Sequence, residues 1–164
     1  MKRVYLSGLA FSGVAALVVG CGGAGATGTP ALTGSPSVTG SAAATSVNVT
    51  LAEWSLGTSV ATAKAGAVKF IVKNDGPDDM HEFVVIKTDL SLIALPTDAT
   101  GAVNEEAGGM TVEDEIEDIL VGETKELTRS LQPGAYVLIC NIYDDTEQES
   151  HYKEGMRNSF TVTP

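Results

Sequence analysis

The stretch "LICNIYDDTEQESHYKEGM", residues 138 to 156, ends an apolar run in a thiol, continues through an acidic segment and then offers His151 and Met156. The chain has only two histidines, His81 and His151, and two cysteines, Cys21 and Cys140. His81, Cys140 and His151 each stand beside a predicted strand end, and strand ends on one rim of a sandwich converge however far apart they lie in sequence. His81, Cys140, His151 and Met156 can build a four-donor site in this way. The donor types suit copper: a thiolate is soft and favours Cu(I), imidazole suits both oxidation states, and a thioether is a weak axial donor. Zinc more readily takes a further strong ligand such as another cysteine, and none is available. Iron–sulfur clusters need several cysteines and are excluded.

Taken singly, each residue has a plainer reading. Cys140 alone is a buried small hydrophobe, His151 a surface residue in a polar loop, His81 a hydrogen-bonded turn residue, and Met156 a gap-filler in a core. Their joint occurrence in a chain with no other histidine favours ligation. Met80 and Met110 compete with Met156 but are assigned structural or exposed roles. Trp54, Phe70, Phe83, Tyr136 and Phe160 read as core residues at strand spacing. Tyr152 is open between lining the metal edge and packing.

The elements that must position these donors begin at Val47, where short alternating runs appear: "VNVTL", "AVKFIVKN", "EFVVIK", "ELTRSL", "AYVLIC" and "SFTVT". Val47, Val49 and Leu51 share one face, as do Val68, Phe70 and Val72 opposite Lys69 and Lys73. Asn74-Asp75-Gly76-Pro77 and Gln132-Pro133-Gly134 are turn-forming clusters. The pattern predicts an all-β, antiparallel Greek-key β-sandwich over residues 47–164. A short helical turn fits "LSLIALPT", ended by Pro96. Residues 90–122, with "NEEAGG" and "VEDEIED", read as a long, solvated acidic loop without calcium-loop spacing.

The first residues belong to no core. Lys2 and Arg3 precede a mostly apolar run, the layout of an export signal over residues 1–20. The run ends in Val18-Val19-Gly20-Cys21, similar to a bacterial lipobox, in which the cysteine receives a lipid that holds the protein at a membrane. Residues 21–46 comprise this cysteine and an uncharged linker almost entirely of Gly, Ala, Ser, Thr and Pro, expected to be flexible. The net charge is −11, and removing residues 1–20 deletes two basic and no acidic residues, leaving about −13. No basic stripe is present to neutralise phosphates, which excludes nucleic-acid binding. The acidity instead steers the domain toward a cationic partner.

Residues Pro133-Gly134-x-Tyr136, Cys140, the His-x-x-x-Gly-Met ending and His81 at a strand start together resemble the cupredoxin family, the small blue copper proteins that include plastocyanin and azurin. The nearest resemblance is to plastocyanin-like bacterial cupredoxin-domain lipoproteins, and it spans Val47 to Thr163 as strand order. It implies one copper ion, Cu(I)/Cu(II), with His81, Cys140 and His151 as the strong equatorial ligands and Met156 as the axial one. It also implies an eight-stranded Greek-key sandwich that shuttles single electrons. Two departures stand out. Ten residues, "NIYDDTEQES", separate Cys140 from His151 where plastocyanin-like members have a shorter, less charged interval. These are expected to form an acidic flap over the copper edge. Glu82 also follows His81 where members often carry an asparagine that braces the ligand loop; Asn141 is the candidate to replace it as a donor near the thiolate.

The expected function is a monomeric, lipid-anchored extracytoplasmic electron carrier serving a redox partner protein such as a cationic cytochrome. A copper storage or delivery protein without redox cycling is the alternative, and a metal-free interaction module the third. No serine–histidine–acid arrangement, phosphate-binding loop or open metal position supports an enzyme.

Overall fold

The computed structural model describes residues 44–164. The expected signal segment, the lipidation site Cys21 and nearly all of the linker lie outside the described residues. Strand β1 (Thr45–Ala52) begins two residues before the expected domain start at Val47, taking in Thr45 and Ser46. It is followed by β2 (Ser55–Thr58), β3 (Thr62–Lys64), β4 (Gly66–Asn74) and β5 (His81–Thr88). Then come β6 (Met110–Ile119), β7 (Thr124–Leu131), β8 (Gly134–Ile139), β9 (Tyr143–Asp144), β10 (Glu149–Ser150), α1 (His151–Glu154) and β11 (Arg157–Thr163).

Alternation places the apolar side of each strand inward. Sheet β2-β1-β4-β7 faces sheet β3-β11-β8-β5-β6, and the core lies between them. Val47, Val49, Leu51, Val68, Phe70 and Val72 on the first sheet meet Phe83, Val85, Tyr136, Leu138 and Phe160 on the second. Phe70 is the hinge of this contact, with its ring 5.2 Å from Phe83 and 5.7 Å from Phe160. The five-stranded sheet is covered on its other face as well: Val84, Ile86, Val137 and Ile139 pack against Leu95, Val103 and Tyr152. Burial on both faces explains why β5 and β8 read as unbroken apolar runs while β1 and β4 alternate.

The antiparallel expectation needs correction. β1 runs parallel to β4, and β11 parallel to β3, while the other pairings are antiparallel. A strand that crosses from one sheet to the other and back returns in either sense, and turn residues do not encode which.

The expected loop over 90–122 is also corrected. Its second half is the ten-residue strand β6, paired along β5 at the sheet edge. Two irregularities break its phase: one residue is inserted between Val112 and Asp114, and another between Ile116 and Ile119, where Asp118 has φ 54°. Val112 therefore packs on the outer cluster and Ile116 on the inner core, so no single alternation marks the strand. Its acidic side chains are the usual protection of an exposed edge. In "LSLIALPT" the chain makes one turn, Ala94 N donating to Ser91 O at 2.9 Å, rather than a helix.

Candidate metal centre

His81 opens β5, Cys140 follows the last residue of β8, and His151 opens α1, so all three lie at one end of the five-stranded sheet. Asn74 fixes the first of these strand ends. Its buried side chain donates to Asp79 O at 2.8 Å and Ile119 O at 2.9 Å and accepts from Gly76 N at 2.8 Å. The loop into β5 is thus tied to the residue that pairs with His81. Cys140 and Met156 are joined by Cys140 N donating to Met156 O at 3.0 Å. Met156 N and Gly155 N both donate to His151 O, turning the chain from α1 into β11. Gly155 is required there twice over: its φ is 135°, and a Cβ would lie 2.9 Å from Trp54 O.

The insertion "NIYDDTEQES" folds into the small hairpin β9–β10. Asp144 Oδ1 caps its exposed tip, accepting from Thr146 N at 2.6 Å and Glu147 N at 3.0 Å. The hairpin delivers Ser150, whose hydroxyl donates to Gly101 O at 2.9 Å, and then His151, whose amide donates to Ile142 O at 3.0 Å. The long interval is therefore an ordered element that returns the chain to Cys140.

The donor atoms form a small triangle. His81 Nδ1 and His151 Nδ1 are 3.2 Å apart, Cys140 Sγ is 3.4 Å from His151 Nδ1 and 3.9 Å from His81 Nδ1. The point equidistant from all three lies about 2.0 Å from each, a metal–ligand bond length. His81, Cys140 and Met156 are fully buried and His151 is 1% exposed. Burial pushes the Cys140 thiol up to about 12. It also lowers His81 and His151, the former further through the charge of His151; Glu53 and Asp79 act in the opposite sense on both. Without metal the cluster is thus neutral, a set of soft and borderline donors around one point with carboxylates beyond them. That set fits a single copper ion of type 1 character.

The surroundings differ from expectation in two places. Asn141 does not reach the thiolate. Its side chain bonds to Val103 N at 2.5 Å, Val103 O at 3.0 Å and Glu105 Oε1 at 2.9 Å, tying the ligand loop to the cover of the outer face. The amide of Glu82 donates to Cys140 Sγ at 3.3 Å instead, and the Glu82 carboxylate accepts from Asn141 N at 2.8 Å. Glu82 itself therefore braces the ligand loop, and burial raises its carboxyl to about 7. Trp54 is the second: it packs half-buried against the core, as expected, but from the turn after β1 rather than from a strand, and stands edge-on to His151 with ring centroids 4.9 Å apart. Tyr152 packs in the outer cluster, its hydroxyl donating to Leu92 O at 2.9 Å and accepting from Leu95 N at 3.3 Å. Met80 is exposed and Met110 packs on the outer cluster.

Sequence reasoning missed Glu53, whose carboxylate lies 3.7 Å from His81 Nε2. No local signal marks it, because the contact joins the β1–β2 turn to the other sheet.

No family model matches the chain, and no curated protein matches it. Solved structures do. Sodium-dithionite-reduced auracyanin from the photosynthetic bacterium Roseiflexus castenholzii matches with a TM-score of 0.53 at 20% identity, covering 74% of this chain and 99% of that one. Auracyanin B matches at 0.51 and 21% identity, covering 74% and 90%. Auracyanin A, a "blue" copper protein from the green thermophilic photosynthetic bacterium Chloroflexus aurantiacus, matches at 0.50 and 16% identity, covering 74% and 100%. These likenesses establish the fold of the described residues as a cupredoxin-like β-sandwich.

Proposed function

We propose that this protein is a type 1 copper protein that carries single electrons between extracytoplasmic redox partners, held at a bacterial membrane by a lipid on Cys21. One observation carries the reading: three buried donors surround one point at bond distance before any ion is bound. Bound there, copper supplies a one-electron Cu(I)/Cu(II) couple. The chain contributes everything else. His81 and His151 would hold the ion through Nδ1 and Cys140 through Sγ, with the Met156 thioether as the weaker fourth donor. The hydrogen bonds of Asn74, Glu82 and the Cys140–Met156 pair keep these groups in place, so little reorganisation accompanies a change of charge. The burial of all four excludes water from the ion.

The auracyanin A likeness supports a blue copper site. The basic start, apolar run and Val18-Val19-Gly20-Cys21 support export and lipidation. Among the described residues no helix is long and apolar enough to cross a membrane; in this reading the lipid on Cys21 supplies the attachment. The acidic surface supports a cationic partner such as a cytochrome.

The test is to titrate the purified protein with Cu(II). Stoichiometric uptake with an intense visible thiolate-to-copper band and reversible one-electron voltammetry is expected. Tight Cu(I) uptake with sluggish voltammetry and transfer to an acceptor would assign the protein to copper storage or delivery. No stoichiometric uptake would leave a metal-free interaction module.

A further inference from the structure

We infer that Glu53 is the hydrogen-bond partner of the outer nitrogen of His81, positioning that imidazole and biasing the centre toward the oxidised ion. The inference rests on the copper reading only for its redox half. His81 presents Nδ1 to the donor cluster, so Nε2 faces the opposite way. That Nε2 is buried and has no hydrogen-bond partner. Glu53 Oε2 is buried and has none either. These two orphans belong to side chains that face each other, Glu53 Oε1 standing 3.7 Å from His81 Nε2. An unpaired buried polar group is costly, so a donor and an acceptor this close are more stable paired than apart.

The carboxylate is held for this task. Asp79 N donates to Glu53 Oε1 at 2.7 Å and Asp78 N to the same oxygen at 3.2 Å, while Oε2 has no partner. A neutral imidazole carries one ring proton. A carboxylate at Nε2 holds that proton there and leaves the Nδ1 lone pair free for the ion. The negative charge also makes His81 a stronger donor, and the doubly charged ion gains more from this than the singly charged one. Glu53 lies between β1 and β2 in one sheet, whereas His81 opens β5 in the other, so the contact also clamps the two sheets at this rim.

The decisive experiment uses histidine-selective 15N spectra of the metal-free full-length protein at neutral pH. His81 is expected with its proton on Nε2; a dominant Nδ1–H form in the unsubstituted protein overturns the inference. Since no copper is involved, this readout stands whether or not the copper reading does. In Glu53→Gln the side-chain amide turns an N–H toward His81, and the proton is expected to move to Nδ1. After copper loading, the same variant is expected to raise the reduction potential by at least the 59 mV that corresponds to a tenfold change in preference between the oxidised and reduced ions. An unchanged tautomer or a shift below that margin overturns the inference. Should Glu53→Gln fail to fold, the tautomer in the unsubstituted protein decides alone.

Discussion

Replacing Cys140 by serine tests the donor on which the colour depends. A hydroxyl is neither soft nor easily ionised, so Cys140→Ser is expected to abolish the visible charge-transfer band and most Cu(II) affinity, as followed by absorption titration. Met156→Leu would remove only the proposed weak fourth donor. Copper is expected to be retained with a higher reduction potential, since losing that donor disfavours Cu(II) more than Cu(I); voltammetry reads the shift. Glu82 offers a test of charge rather than ligation. Its folded carboxyl titrates near about 7 against an ordinary 4.5, so the folded protein binds the extra proton between those values. The Glu82 contribution to the stability of the metal-free protein is therefore greatest below the ordinary value and is lost as pH rises through about 7. Glu82→Gln is expected to remove that fall and to gain on the order of 2 kcal/mol at pH 8, measured by denaturant unfolding with and without the substitution. At this scale His81, Cys140, His151 and Met156 could be singled out because their types are rare in the chain. Glu53 and the Glu82 brace could not, because a common acidic residue acquires its role only from the chain segment opposite it.

Among the elements, the β4–β5 connection decides whether His81 reaches the cluster. Asn74→Ala strands Gly76 N and the carbonyls of Asp79 and Ile119 in a buried place. It is expected to cost about 3 kcal/mol in denaturant unfolding and to weaken copper uptake, whereas an alanine at exposed Asp75 should do neither. Asn74 was visible in the sequence as a turn former, and its long-range knot was not. Tyr136 shows the opposite situation. The Pro133-Gly134-x-Tyr136 pattern is explained by the Tyr136 hydroxyl donating to Gln132 O at 2.8 Å, a contact four residues away that local spacing already encodes. The strands β1, β4, β5, β7, β8 and β11 were legible because period-2 alternation or unbroken apolarity runs through each. β6 was hidden because its two insertions exchange its inward and outward faces midway.

For the molecule as a whole, charge sets how partners arrive. The β9–β10 hairpin exposes Asp145 and Glu147 at its tip, next to Asp144, on the segment between Cys140 and His151. Neutralising the three as Asp144→Asn, Asp145→Asn and Glu147→Gln is expected to slow association with a cationic redox protein several-fold at low ionic strength. Stopped-flow rates that match the unsubstituted protein at every salt concentration would exclude this hairpin from docking. Overall architecture was accessible from alternation and turn chemistry, but strand direction was not. The parallel β1–β4 pair has a practical outcome of its own. Thr45 sits opposite Val68 and Leu51 opposite Asn74, so β1 enters at the pole remote from His81 and runs toward it. With eight residues rising about 3.3 Å each, that pole is roughly two nanometres from the redox rim. Immobilising the domain on an electrode directly at Thr45, the first residue of β1, would consequently leave the rim that carries the donor cluster pointing outward, free to meet soluble mediators but distant from the metal surface beneath.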